Sequence, residues 1–331
     1  MIYVINRYQK KNKNVKEFSG YEQLIKFSDK FSEIPTVEWI SKLANNVIAR
    51  KPKNYISPTY SKELIAFCYA LITGQPLFYL YADKDAFLAP WLKKKLKLKR
   101  IKIYGTLHWP NGVNSKFSFY KYHFDEVFNG IITLSENSAL QLNTTRKVIY
   151  HGINLDYWKN NNVALNNDSF YLILGKSNRD HFGQIKIIKE ILKINPLATF
   201  KVLISDKKVS KLYEGIENVD IIAYKVSDTE LKELYEKCKS VILIQKHCLA
   251  SNTVLETIAM QRPIIANNVG DIMEYFKEDI FIDMKNRSGF LEAFIKSDAI
   301  RYKLIHKFSD LREEYEWKHI AQLTEKFIEI N

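Results

Sequence analysis

Ser251-Asn252-Thr253-Val254-Leu255-Glu256-Thr257-Ile258-Ala259-Met260-Gln261-Arg262-Pro263-Ile264-Ile265-Ala266-Asn267-Asn268-Val269-Gly270-Asp271-Ile272-Met273-Glu274 is the most informative stretch of the chain. Small polar residues open a helical pattern whose apolar face carries Val254, Leu255, Ile258 and Ala259. Pro263 then starts a short apolar run that ends at Asn267-Asn268, so a helix feeds a buried strand. A helix opening on Ser251, Asn252 and Thr253 presents unpaired backbone N–H groups and the positive end of its dipole, which suit a phosphate or diphosphate. Glu256 sits one turn in, on the polar side. Two readings of it stand: it reaches a ligand held at the helix start, or it forms a capping box with Thr253 and serves only its own helix.

The totals frame that stretch. At 331 residues, length points to two domains, and 46% hydrophobic residues with 13% aromatics favour packed cores over disorder. Cys68, Cys238 and Cys248 are odd in number and widely spaced, which gives neither a disulfide framework nor a zinc pattern; a reducing, cytoplasmic setting is expected. The formal charge of +13 favours an anionic partner: nucleic acid, anionic lipid or a phosphorylated substrate. Met1-Ile2-Tyr3-Val4-Ile5 is too short for a secretory signal. The apolar run from Leu64 to Ala82 is cut by Gly74-Gln75-Pro76 and reads as helix, turn and strand rather than a membrane span.

Strands alternate with helices throughout. Ile2 to Ile5 is a strand, and after a polar loop from Arg7 to Lys16, Ser19-Gly20-Tyr21-Glu22 leads into Leu24, Ile25, Phe27 and Phe31 at helical spacing. Gly20 either admits a ligand closely or is an ordinary turn glycine. Pro58 to Ile72 and Lys84 to Lys97 read as helices; Leu77 to Tyr81, Arg100 to Gly105, Gly130 to Leu134 and Lys147 to Tyr150 read as strands, with a helix from Ser135 to Leu142. Asp83 and Asp85 have a spacing that can serve a metal, but they read rather as a solvated strand-to-helix turn in which one aspartate caps. His108 follows a strand end, where sites form in parallel sheets.

The polar run Asn160 to Asn167 reads as a domain connection, after which the pattern restarts. Strands are expected at Ser169 to Leu174, Thr199 to Ile204, Val219 to Ile222 and Ser240 to Ile244, with helices at Gln184 to Leu192 and Thr229 to Cys238. Gly175, Lys176 and Arg179 follow the first of these strands and Ser251 to Glu256 the last, so two cations and a helix N-terminus can converge on a diphosphate, whereas either cation taken alone reads as a solvated loop charge. A helix from Glu313 to Ile330 closes the chain. The expected class is α/β, with domains over residues 1–153 and 154–312 and a terminal helix at 313–331 packing back towards the first domain.

In this order the pieces resemble the GT-B glycosyltransferases, and among them the large retaining family with a Glu-x7-Glu motif. The resemblance is carried by Ser19-Gly20-Tyr21-Glu22, Ile131-Ile132-Thr133-Leu134-Ser135, Val148 to Asn154, Gly175-Lys176, Leu255 to Met260 followed by Pro263 to Ala266, and Tyr315-Glu316-Trp317. It implies two Rossmann-like domains facing across a cleft, the second holding a nucleotide-sugar. It implies that Glu256 holds the ribose hydroxyls, that Lys176 and Arg179 hold the diphosphate with Gly20, Gly175 and Ser251 to Thr253 lining the donor, and that His108 stands near the transferred sugar. His108, Lys176 and Glu256 are thereby the catalytic candidates, transfer is retaining, and no metal or other cofactor is expected.

The chain departs from that pattern in three places. Cys248 stands where the first motif glutamate belongs, Phe182 stands where a second cation is usual beside Gly183, and Val269-Gly270-Asp271 carries one glycine where the family often has two. A noncatalytic sugar-nucleotide-binding scaffold and a sugar-nucleotide epimerase therefore remain as alternatives. The acceptor is open, a glycan or a lipid-linked group. The six cations from Lys93 to Arg100, among Trp91, Leu92, Leu96 and Leu98, read either as an anionic-membrane contact or as a solvated helix end. No nucleic-acid module interrupts the pattern, and nucleic acid is not expected as a partner.

Overall fold

The chain builds two parallel-sheet units in the computed structural model, which describes residues 1–7, 18, 20–47, 57–109, 117–139, 144–160, 169–276, 281–282 and 310–331. The first unit comprises Met1–Gly152 with Trp317–Asn331, and the second Ile153–Glu316. Ser19, most of the expected 7–16 loop, the end of the expected 135–142 helix and residues 161–167 of the expected connection lie outside the described residues.

In the first unit the strands are β1 (Ile2–Ile5), β2 (Phe31–Glu33), β3 (Leu77–Tyr79), β4 (Ile103–Leu107), β5 (Gly130–Thr133) and β6 (Arg146–Val148), in the order β2-β1-β3-β4-β5-β6 and all parallel. The second unit holds β7 (Tyr171–Leu174), β8 (Phe200–Leu203), β9 (Val219–Ile222), β10 (Ser240–Leu243), β11 (Ile264–Asn267) and β12 (Phe281–Ile282), in the order β12-β11-β10-β7-β8-β9, again parallel. The inner strands β1, β3, β4, β5, β7 and β10 are buried along their whole length, which is why they read as unbroken apolar runs without alternation. The edge strands β2, β6 and β9 are only partly covered.

Some elements differ from the sequence expectation for long-range reasons. Tyr21–Phe27 is a short 3-10 helix, and Phe31 belongs to β2 instead of continuing its apolar face. The expected helix from Lys84 to Lys97 is broken at Phe87 into Ala82–Asp85 and Leu88–Lys95. The cause is Glu63, buried on the Ser57–Thr73 helix: its carboxylate accepts from the backbone N–H groups of Phe87, Leu88 and Ala89 at 3.0, 2.9 and 3.3 Å and from Tyr79 Oη at 2.5 Å. One distant carboxylate thus caps the second helix start and places negative charge at its positive end. Glu63→Gln keeps one acceptor but removes the charge, and a loss of about 1 to 2 kcal/mol is expected in denaturant unfolding.

The last helix runs from Trp317 to Ile330, because Tyr315 and Glu316 are used first: Ile153 N–H donates to Tyr315 O at 2.7 Å and Ile153 bridges Glu316. The Trp317–Ile330 helix belongs to the first unit. There Trp317 is buried edge-on to Tyr21 at 5.6 Å, Phe327 packs against Tyr104, and Lys30 pairs with Glu325 and Glu329.

Candidate functional site

In the second unit the loops after β7, β10 and β11 leave the same, carboxyl end of the sheet. The loop after β7 is sewn to the residues following β10: Asp180 N–H donates to Ile244 O at 3.0 Å, Lys246 N–H donates to Asn178 O at 2.9 Å, and Arg179 forms an antiparallel bridge with Gln245. Asp180 caps the His181–Ile194 helix through Gly183 N–H, which fixes Arg179 just ahead of it. Arg179 Nε donates to Leu174 O at 3.0 Å and Nη1 to Ser177 O at 3.2 Å, so Nη2 is aimed at Thr253 Oγ1, 3.1 Å away. Gly175, with φ +80°, lies under the guanidinium. Burial lowers the Arg179 pKa, while the nearby Cys248, Tyr235 and Glu256 favour its charge.

Of the two expected cations only Arg179 meets the helix start. Lys176 is exposed and pairs with Asp206 at 3.2 Å, an ion pair that solvent weakens and a stronger anion can replace. His181 bonds Tyr213 Oη at 3.0 Å, and Phe182 is exposed.

Ser251 is the N-cap of the Asn252–Ala259 helix, and Asn252 and Thr253 occupy its first turn. Ser251 makes no side-chain cap, and Glu256 is too far along to form one; the capping-box reading with Thr253 fails for that reason. A real capping box exists elsewhere, between Ser227 and Glu230. Glu256 also departs from the polar side assigned to it. It is 2% exposed, and Oε2 accepts from the buried Tyr235 Oη at 2.9 Å. The partner arrives from the Asp228–Lys237 helix, 21 residues earlier, which local periodicity does not register.

In the first unit His108 follows β4 and is held by three neighbours. Nε2 bonds Leu80 O at 2.9 Å, the ring stacks on Tyr81 at 4.3 Å, and Tyr21 meets it edge-on at 4.8 Å. Burial drives its pKa well below the usual histidine value, with His151 and Lys84 adding to the effect, so the imidazole is neutral. Gly20 has φ +132°, a region open to glycine, and a Cβ there would fall 2.6 Å from the Glu22 carboxylate, itself bonded by Tyr81 Oη.

Asp83 and Asp85 are not a solvated turn. They are 0% and 1% exposed, and Tyr81, the residue ahead of their helix, makes no side-chain cap. Asp85 lies 3.5 Å from Arg7, yet desolvation outweighs that pairing and raises its pKa to about 8; Asp83 is raised by burial to about 7. In the cationic segment, Lys93 is tied to Val127 O and Asn129 Oδ1 at 2.8 and 2.7 Å, and Lys95 lies over the Trp91 ring at 4.7 Å. Among the described residues no helix is long and apolar enough to cross a membrane, and no group of three His, Cys, Asp or Glu is placed to hold a metal ion.

Sequence reasoning missed what Tyr235 and Glu63 hold in place and the position of Asp271 beside the loop of Cys248. Only Asp271 carried a signal, as the acid beside Gly270 after β11.

No family model matches the chain, and no curated protein matches it by sequence. Solved structures do match. A glycosyltransferase from Rickettsia africae aligns over 99% of this chain and 97% of its own at 13% identity, with a TM-score of 0.65. A sucrose-phosphate synthase from Thermosynechococcus elongatus aligns over 82% and 78% at 15% identity, TM-score 0.58. The pneumococcal O-GlcNAc transferase GtfA, in complex with UDP and GlcNAc, aligns over 81% and 59% at 12% identity, TM-score 0.56. The chain has the GT-B fold. In GT-B terms, the Arg179, Thr253 and Glu256 cluster belongs to the C-terminal parallel-sheet unit and His108 to the N-terminal one.

Proposed function

We propose that the protein is a glycosyltransferase that moves a sugar from a nucleotide-sugar donor to an acceptor. The observation that carries this reading is the Arg179 guanidinium fixed against Thr253 in the first turn of a helix whose next turn buries Glu256. The helix start and Arg179 receive the donor diphosphate, Lys176 exchanges Asp206 for it, and Glu256 accepts from the ribose hydroxyls. Negative charge builds on the leaving diphosphate as the sugar becomes oxocarbenium-like, and each fixed donor aimed at that charge contributes about 3 kcal/mol. Fixed cations and N–H groups can supply that stabilisation without a metal, the mode we favour here. The resemblance of the motifs supports transfer with retention.

The acceptor is a glycan or a lipid-linked group. Trp91 and Leu96 are exposed next to Lys94 and Lys95, which favours contact with an anionic surface. Cys248 favours one second reading, a binding protein without turnover, because a thiol does not give a sugar hydroxyl the bond a carboxylate gives.

Thermal denaturation with UDP, GDP, ADP and their sugar derivatives tests the donor site. One nucleotide should raise Tm by several degrees, and Arg179→Ala should weaken its binding about 100-fold. Unaltered affinity in that variant would refute the assignment, and binding without release of nucleoside diphosphate under any acceptor would favour the second reading.

A further inference from the structure

Cys248 and Asp271 follow β10 and β11, adjacent strands paired in register from Val241 and Ile264 to Leu243 and Ala266. Their two loops touch through the backbone. Gly270 has φ +64°, and a Cβ there would lie 2.1 Å from Cys248 O, so only glycine allows the approach. Asp271 N–H donates to Cys248 O at 3.3 Å. Ala250, itself left-handed at φ +42°, donates its N–H to Asp271 Oδ2 at 2.7 Å. This places the Asp271 carboxylate beside the Cys248 thiol and one loop turn from Ser251, where the helix of the donor site begins.

One oxygen of that carboxylate accepts the Ala250 N–H, and the carboxylate's other neighbour is the Cys248 thiol, a weak donor. Asp271 is 1% exposed, and Oδ1 is buried without an N–H or O–H donor. An unpaired buried carboxylate oxygen is costly, and a ligand hydroxyl that donates to it removes the cost. A phosphate cannot do this, since it brings a second negative charge against the first. The group that meets Asp271 brings a donor and no negative charge, as a sugar hydroxyl does, while the guanidinium suited to phosphate is Arg179, bonded to Thr253 in the first turn of the helix.

We propose that Asp271 is a specificity-determining residue that accepts a hydroxyl of the donor's sugar, supplying the carboxylate that Cys248 lacks. This rests on the donor-site reading above. It gives the site two poles: Arg179 and the helix start for the diphosphate, Asp271 for the sugar. The Cys248 thiol, whose pKa burial raises, stays protonated and adds no competing charge.

Calorimetric titration of the full chain with UDP, GDP and ADP, and with UDP-glucose, UDP-N-acetylglucosamine, GDP-mannose and ADP-glucose, tests this. Asp271→Asn retains an acceptor for Ala250 N–H. It should leave nucleoside diphosphate affinity within about twofold and lower that of the matching sugar nucleotide by about 10- to 100-fold. Cys248→Glu combined with Asp271→Gly returns a carboxylate to the same place and should recover most of the loss. A wild-type measurement is independent of how the variants fold: the donor analogue lacking the accepted hydroxyl should lose the same factor, and its loss should not add to that of Asp271→Asn. Equal weakening of diphosphate and sugar nucleotide, or no weakening of either, would overturn the role of Asp271 while leaving the donor site standing. A wild type that binds none of the seven ligands would overturn the donor site, and this role with it.

Discussion

Glu256→Ala should abolish sugar-nucleotide binding and also lower the stability of the second unit, by about 2 kcal/mol. Two effects are expected because Glu256 has two tasks. Tyr235 is fully buried, and its hydroxyl donates to Glu256 Oε2 at 2.9 Å, so truncation leaves that O–H without its acceptor inside the protein. The Trp158 ring packs edge-on against Tyr235 at 5.8 Å, which places the damage within the core and not at its rim. Glu256→Gln separates the tasks. Its amide oxygen still accepts from Tyr235, so stability in urea should stay within about 0.5 kcal/mol of wild type, whereas the charge-assisted bond to a ribose diol is lost and affinity should fall about 10- to 100-fold. Denaturant unfolding paired with calorimetry checks both. Wild-type affinity in Glu256→Gln would remove the carboxylate from donor recognition and leave it a purely structural acceptor.

Above neutral pH the first unit should lose stability with a sign set by four buried groups. Asp83 and Asp85 have folded pKa values raised from 3.8 to about 7 and about 8, so the folded state holds their protons longer than the unfolded chain. Their contribution is fully present below about pH 4 and is lost as pH rises through those folded values. His151 and His108 act oppositely. Their folded values lie below 6.5, at about 4 for His151, so their contribution is present above 6.5 and is lost as pH falls. Below 6.5 the histidines offset the aspartates, and only the aspartates act above it. A fall of about 3 kcal/mol between pH 6.5 and 8 is therefore expected from these groups. Tryptophan fluorescence in urea reports on it well, because Trp39, Trp91, Trp109 and Trp317 lie in the first unit and Trp158 alone in the second. In the double variant Asp83→Asn, Asp85→Asn the fall should disappear. An equal fall in that variant would locate its cause elsewhere.

The apolar runs and their alternation with helices determined the class of fold without help from any coordinate. Val219–Ile222 coincides with the expected strand, and the Ser57–Thr73 and Asp228–Lys237 helices differ from expectation by a residue or so at their ends. These elements answer to local rules: burial on both faces for a central strand, a polar cap and an apolar stripe for a helix. The opening Ser251, Asn252 and Thr253 were legible as a helix start on the same grounds, and Arg179 as a cation at a neighbouring strand end.

What the tertiary structure alone decided is where each charge ends up and what it faces. Glu256 changed sides because Tyr235 closes over it, and Asp83 and Asp85 passed from solvent to interior because the first unit packs around the turn that carries them. One helix became two because Glu63 arrived from another element to hold three N–H groups. Cys248 and Asp271 read separately as two departures, and the contact between their loops sets them side by side. The physical reason is common to all of these. Periodicity and propensity act within a turn or two of chain, whereas the field and solvation of a carboxylate are set by whatever the fold brings within a few ångströms, and those neighbours are tens of residues away in sequence.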